Sequence, residues 1–179
     1  MISFCLKHLC DVLNEEFKNI LKTKNDLVKL QQLTNNAAEG VISLSLLNIE
    51  NDNSRGSNTN SYLKENNSYR MQNRSLYVNA CVLFSVVYPE GRYLDSLKVF
   101  DILLSILNST RVIEFLKYRY IIEIDSIDNT SLSNYWSIAN NYYPSVYCKI
   151  KTFEIKGEIN SQELTMISET LVNLKKNKK

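Results

Sequence analysis

Glu123 and Asp125 are the carboxylates whose spacing could do chemistry. They stand two residues apart in Tyr120-Ile121-Ile122-Glu123-Ile124-Asp125 and share one face of a predicted strand, the placement a divalent metal or an acid–base pair needs. The same alternation describes the solvated face of a half-exposed strand. Glu50 and the hydroxyls of Ser131 and Ser145 complete the candidates, without forming a recognisable catalytic constellation. Cys5, His8 and Cys10 could be read as metal ligands, but on a helix that spacing points them in different directions. His8 is the single histidine, which removes most hydrolase triads and every multi-His metal site. With 4 Gly there is no Gly-rich loop, so neither a dinucleotide nor a P-loop signature can be assembled. No cofactor and no metal are expected.

Composition narrows the class further. A chain of 179 residues with 44% hydrophobic and 22% charged residues reads as one globular domain over 1–179. Lys and Arg number 21 against 19 Asp and Glu; the resulting charge of +2 is too small for a nucleic-acid footprint, so no nucleic acid is expected as partner. Eleven Tyr could make a stacking surface, but they are not interleaved with Lys and Arg in one stripe, and packing explains them better. The four cysteines form no C-x-x-C pair, and three sit in apolar periodic segments, which favours reduced thiols and an intracellular setting. Met1 to His8 lacks a basic region followed by an apolar run, so no secretory leader is expected. No stretch approaches the roughly 20 apolar residues of a spanning helix, so no direct membrane insertion is expected.

The elements that must position these residues follow from periodicity. Ile2, Leu6, Leu9, Leu13, Phe17 and Ile20 recur at steps of three and four, an amphipathic helix that the polar interval from Thr34 to Gly40 ends. Ile42, Leu44 and Leu46 alternate with serines before the parity switches to Leu47 and Ile49, which predicts a strand with a bulge near Leu46-Leu47. Leu76 to Val86 is apolar on both faces and reads as a central strand. After the turn at Pro89-Glu90-Gly91, Leu94, Leu97, Phe100, Leu104 and Leu107 predict a second helix on one face of the sheet. Tyr120–Asp125 is another strand. Thr130-Ser131 offers N-caps for a short helix through Leu132, Tyr135, Trp136 and Ala139, anchored by Trp136. Ser145 to Ile155 places Val146, Cys148, Ile150 and Thr152 against Tyr147, Lys149, Lys151 and Phe153, and its lysines suggest a strand near an edge. Asn160-Ser161-Gln162-Glu163 resembles a capping box before a last helix through Leu164, Ile167, Leu171 and Leu174, followed by a basic tail at 175–179.

Residues 51–74 carry almost no aliphatic residues and are longer than compact domains usually leave structureless. They read as a flexible polar loop, either solvated or a basic arm that orders on a partner. The fold class is α+β, a mixed or antiparallel sheet of about four to six strands covered by helices. An adaptor that binds one peptide by its sheet edge, or a metal-assisted hydrolase using Glu123 and Asp125, would satisfy the same signals.

Three stretches carry a resemblance. Leu44 to Glu50, and Leu76 to Ser85 followed by the helix from Tyr93, resemble the paired strands and helix of the tail-terminator, or cap, family of contractile injection systems, which includes phage-tail-like particles and machines related to type VI secretion. Leu132-Ser133-Asn134-Tyr135-Trp136, Tyr143-Pro144-Ser145-Val146 and Lys149-Ile150-Lys151 resemble that family's Trp helix, its Tyr-x-Pro-Ser turn and its basic strand. The match spans roughly residues 1–155 in element order. The sequence departs from it at Asn140 and Asn141, where a Gly is common, and at Lys151, where Arg is usual; Lys keeps the charge without the bidentate fork that would hold a carboxylate.

The resemblance implies a phage tail-terminator-like fold and no enzyme. It implies a homo-oligomer, a hexameric ring that ends inner-tube polymerisation and fastens the sheath. The partners are then the inner-tube protein and the sheath protein, met in the bacterial cytoplasm during assembly and at the end of an anchored or released tail. The partner-interface candidates are Arg70, Arg74, Trp136, Tyr143, Pro144, Tyr147, Lys149 and Lys151, with the Ser145–Ile155 strand as the edge to which the sheath adds.

Overall fold

The structure, a computed structural model, describes residues 2–34, 39–52, 54, 61–65, 68–72, 75–89, 91–116, 118–155 and 163–165. In chain order the elements are α1 (Ile2–Leu21), β1 (Val28–Leu30), β2 (Val41–Asn51), β3 (Ser61–Glu65), β4 (Ser68–Gln72), β5 (Leu76–Val87), α2 (Tyr93–Ser109), β6 (Val112–Phe115), β7 (Tyr118–Asp125), α3 (Asn129–Ala139), β8 (Ser145–Ile155) and β9 (Glu163–Thr165). They fall into two compact units, Met1–Arg55 with Tyr77–Glu154, and Gly56–Leu76 with Ile155–Lys179.

The larger unit is a mixed six-stranded sheet ordered β1-β2-β5-β8-β7-β6. β1 runs parallel to β2, whereas β2–β5, β6–β7 and β7–β8 are antiparallel. With three helices on the sheet this is the expected α+β class. α1 and α2 cover the inner face. Leu9, Leu13 and Phe17 of α1 and Leu103 and Leu107 of α2 bury against Ile42, Leu44, Ala80, Val82, Phe84 and Val86. The α1 stripe through Leu9, Leu13 and Phe17 and the even-numbered side of β5 join one dry core. On α2 the face turned to it carries Ser96, Val99, Leu103, Ile106 and Leu107, so of the expected stripe Leu94 is exposed and Leu97, Phe100 and Leu104 are only partly buried. α1 ends at Leu21, where Lys22 takes a left-handed φ of 51°, well before the predicted polar interval. The short strand β1 occupies the space between. Asn14, buried on α1, holds that strand: its Oδ1 accepts the backbone N–H of Leu27 at 2.9 Å and of Val28 at 2.8 Å.

Two irregularities reset which side chains face the core. β2 slips register against β5 between Leu46 and Asn48, so Leu47 is the extra residue of the predicted bulge. The slip turns Glu50 to the outer face, opposite Asn79. On β8 the strict alternation fails. Thr152 adopts a φ of 81°, rare for a β-branched residue, and its Oγ1 donates to the Arg119 carbonyl at 2.6 Å. Phe153 is thereby fully buried in the inner core, its ring 4.7 Å from that of Tyr120, and does not join Lys149 and Lys151 as the alternation predicts.

The placement of β8 is itself a correction. It lies between β5 and β7 in the middle of the sheet, and the edges are β1 and β6. Its lysines do not blunt an edge, because each meets a carboxylate on a neighbouring strand.

The smaller unit contains a three-stranded antiparallel sheet ordered β3-β4-β9. The interval read as a polar loop thus contains a hairpin. Arg70 sits in β4 opposite Leu63 and Glu163; Arg74 lies outside the described residues. Glu163, expected to cap a last helix, begins strand β9, and the rest of that helix and the basic tail lie outside the described residues.

Candidate functional site on the outer face of the sheet

α3 covers part of the outer face, and its local chemistry starts at Asp128. The Asp128 carboxylate accepts the Ser131 N–H at 2.9 Å from an extended backbone, making Asp128 the N-cap and Thr130 and Ser131 first-turn residues. The hydrogen bonds from Ser131 lower the Asp128 pKa. A carboxylate three residues before a free amide satisfies it better than the hydroxyls the sequence offered inside the turn. The helix ends at Asn140 in the left-handed region, φ 50°. This is the conformation for which Gly is common, and Asn is the side chain that tolerates it best.

Trp136, Tyr143 and Pro144 build one corner. Trp136 is half-buried against Leu33, Val87, Ala139 and Tyr143, with its ring 4.5 Å from that of Tyr142. Its buried Nε1–H meets no acceptor among the described residues. Tyr143 and Pro144 are buried. The Pro144 carbonyl accepts the Val86 N–H at 2.9 Å, and the Tyr143 carbonyl accepts the Ser145 hydroxyl at 2.9 Å. Ser145 also bonds the Ser85 hydroxyl at 2.9 Å, so its hydroxyl ties β8 to β5.

Tyr147, Lys149 and Lys151 follow along β8 on the same face. Lys149 Nζ lies 3.1 Å from Glu50 Oε2 and 3.1 Å from Asp125 Oδ2, bridging β2 and β7 across the central strand. Its pKa is raised by Asp125 first and Glu50 second, and Asp125 is lowered chiefly by Lys149. Lys151 contacts the Glu123 carboxylate. A lysine therefore makes the carboxylate contact at the position where Arg is usual in the resembling family. Tyr147 is buried against Cys81 and Leu83 under Leu132 and Tyr135. Burial, then its hydrogen bond with Cys81, pushes its phenol up. Leu47, Glu50, Cys81, Asp128, Tyr147 and Lys149 line a cleft of about 270 Å³.

This arrangement decides the chemistry of the candidate residues. Glu123 and Asp125 each face a lysine, so the pair is neutralised across strands and not aimed at a shared ion. Cys5 and Cys10 are buried in the inner core, while His8 stacks on Phe115 at 4.9 Å. Burial pushes Cys5 up to about 11 and Cys10 up to about 12, which keeps these thiols protonated. Among the described residues no group of three His, Cys, Asp or Glu could hold a metal ion. Six of the eight predicted interface residues, Trp136 to Lys151, come together on this one face. The Asp128 cap and the pairing of Glu50 with Lys149 have no sequence motif of their own; the bulge before Glu50 is the signal that turns it to this face.

Residues 6–169 match the Pvc16 N-terminal domain family. The chain belongs to this family. Among solved structures, the anti-feeding prophage cap, described as a tube terminating cap, is 16% identical with a TM-score of 0.53, covering 89% of this chain and 57% of that one. The sheath/tube terminator in the extended state of an extracellular contractile injection system, PVC, is 15% identical with a TM-score of 0.49, covering 89% of this chain and 61% of that one. This chain therefore spans less than two thirds of the length of either. No curated protein sequence matches it. The tail-terminator resemblance carried by residues 44–50, 76–85 and 132–151 is thus shown for family and fold. In this member of the Pvc16 N-terminal domain family, the Trp helix and the turn after it are the corner built by Trp136, Tyr143 and Pro144.

Proposed function

We propose that this chain is a cap that closes into a ring, hexameric in the fullest form of the reading, at the end of a contractile injection system tail. The observation that carries it is the fold shared with the anti-feeding prophage tube terminating cap over 89% of the chain. Family membership over residues 6–169 supports it. An open stack of tube rings exposes a polymerising face, and a closed ring that matches this face without repeating it stops growth. The role is an interface role and needs no catalysis. In this reading the chain meets the inner tube and the sheath, and assembles in the bacterial cytoplasm before resting at the end of an anchored or released tail. In this reading Lys149, Lys151 and the exposed part of Trp136 meet the ring and its partners, and the buried Tyr143, Pro144 and Tyr147 set the shape of that surface from below. Arg70 and Arg74 belong to the arm that meets a tube or a neighbouring copy.

The test is the solution mass by light scattering with particle images of the same peak, alone and with purified tube protein. The expected species is a ring near six times 20.7 kDa that shortens tubes. A chain that stays monomeric and leaves tube length unchanged overturns the proposal. Tube capping that survives replacement of both Arg70 and Arg74 by Gln removes the arm from it.

A further inference from the structure

The three helices are held to the large sheet by different means. α1 sinks Leu9, Leu13 and Phe17 into the inner core and α2 sinks Leu103 and Leu107. Of α3, Ala139 alone is buried; Leu132, Tyr135 and Trp136 are partly covered, and Ile138 is 63% exposed. Leu132 and Tyr135 rest on the apolar cluster of Cys81, Leu83 and Tyr147, whereas Trp136 and Ala139 belong to that of Leu33, Val87 and Tyr143. Along β5 this leaves Ser85 between the two clusters, and α3 spans it.

At that level a row of hydroxyls crosses the sheet. Ser43 lies opposite Ser85, and Ser43, Ser45 and Ser85 are buried. The Gln31 carbonyl accepts the Ser43 hydroxyl at 3.2 Å and the Ser45 hydroxyl at 2.7 Å. Ser85 bonds Ser145 at 2.9 Å, and Ser145 donates to the Tyr143 carbonyl. All of these bonds stay within the sheet and the residues beside it. The hydrogen bonds of α3 are equally local: Asp128 accepts at its start, Asn140 and Asn141 donate to its last turn, and Ser137 donates to the Ser133 carbonyl. Among the described residues no hydrogen bond or ion pair joins α3 to a strand.

Lifting α3 therefore breaks no such bond. It brings water to the buried hydroxyls and to two buried donors that meet no acceptor among the described residues, Gln31 Nε2 and Trp136 Nε1. An unsatisfied buried donor penalises the covered state, and hydration relieves it. Two small apolar clusters are all that hold the helix down, the pattern of a segment that opens below the free energy of global unfolding. The exposed Ser126, Asp128 and Asn140 flank it, Asn140 already at a left-handed φ of 50°, and such terminal residues can absorb the motion.

We propose that α3 is a displaceable cover, which leaves the outer face while the sheet and the inner core stay folded. Freed from the sheet, a helix of 11 residues is marginal in water, so lifting also loosens its backbone bonds. The outer face is then conditional. Leu83, Val87, Tyr143 and Tyr147, with the hydroxyl row between them, are hidden when α3 is down and reachable when it is up. The device belongs to this chain whether or not it caps a tube.

Four free cysteines report on it. Cys81 lies under Leu132 and Tyr135, whereas Cys5, Cys10 and Cys148 lie in the inner core. The whole chain in native buffer is pulsed with iodoacetamide, and alkylation of each thiol is read by peptide mass spectrometry against its rate in the urea-unfolded chain. Hydrogen exchange of amides 133–139 is followed in parallel. Cys81 and these amides are expected to open with one equilibrium constant, at least about tenfold larger than that of the other three thiols and only weakly dependent on low urea. Ile42→Val, a mild change in the inner core, is expected to speed the three inner thiols about two- to tenfold and to leave Cys81 unchanged. The inference falls if all four thiols share one protection or if Ile42→Val speeds Cys81 as much as the others. It falls too if either probe opens without the other: fast Cys81 with protected α3 amides would mean that the reagent enters through the cleft, and the reverse that the helix frays in place.

Discussion

The two faces of the large sheet are built on different principles. The inner face, under α1 and α2, is continuous hydrocarbon and aromatic surface: Phe17, Phe84, Phe153 and Leu103 are fully buried, and Asn14, at its margin, has both ends of its amide bonded to β1 or the residue before it. The outer face carries two small apolar clusters under α3 and, beside them, Glu50–Lys149–Asp125 and Glu123–Lys151 spread over three strands. Buried area sets the stability of the first; pairing of partly exposed charge and the fit of one aromatic corner set the second. A face of the first kind holds a subunit together, and one of the second kind can be remodelled for a partner without unfolding it.

The sharpest way to break the comparison is Phe84→Ala. It leaves a cavity in the middle of the inner face and is expected to cost about 3–5 kcal/mol, read by urea denaturation. A loss below about 1 kcal/mol would show that the inner face is not the packed core described here.

Trp136→Ala comes next. If Trp136 only fastens the corner between α3 and β8, it costs on the order of 3 kcal/mol by the same assay. Unchanged stability with lost ring assembly would move Trp136 from the corner to an interface.

Lys149→Met is the third. Because all three charged groups keep water access, the loss is about 1 kcal/mol and shrinks with added salt. The pH dependence has a definite sign. Asp125 is depressed by Lys149, so its contribution is present above the unfolded value of about 3.9 and is lost as pH falls through the lower folded value. Lys149 is raised by Asp125 and Glu50, so its contribution is present below about 10.4 and is lost only as pH rises through the higher folded value. Lys149→Met should flatten the acid limb of stability against pH; an unchanged limb would remove the triad from the account.

The smallest effect has the opposite sign. Asn140→Gly relieves a left-handed residue at the end of α3 and changes thermal stability by less than about 1 kcal/mol in either direction, with a gain expected. A loss beyond that would mean the Asn140 side chain does something its backbone conformation does not explain.

Much of the molecule was legible in the residues. α1, α2, α3, β2, β5, β7 and β8 follow from apolar spacing, and the parity switch places a bulge near Leu46-Leu47, where the register shifts between Leu46 and Asn48. β1 and β6, at 3 and 4 residues, are too short to show a period, and they form because a sheet edge offers them a ladder. β9 took residues that looked like a helix start, since Glu163 to Thr165 pair with β4 and a pattern of three residues cannot outweigh that pairing.

By itself, then, the amino-acid order determined the existence of α1, α2, α3, β2, β5, β7 and β8, because those rest on local periodicities. Only the tertiary structure decided that β8 is central, that Lys149 bridges Glu50 and Asp125, that Thr152 turns Phe153 inward and that β1 and β6 are the edges. Each of these depends on which strands lie side by side, and that choice is made by contacts between residues far apart in the chain, where no local spacing can record it.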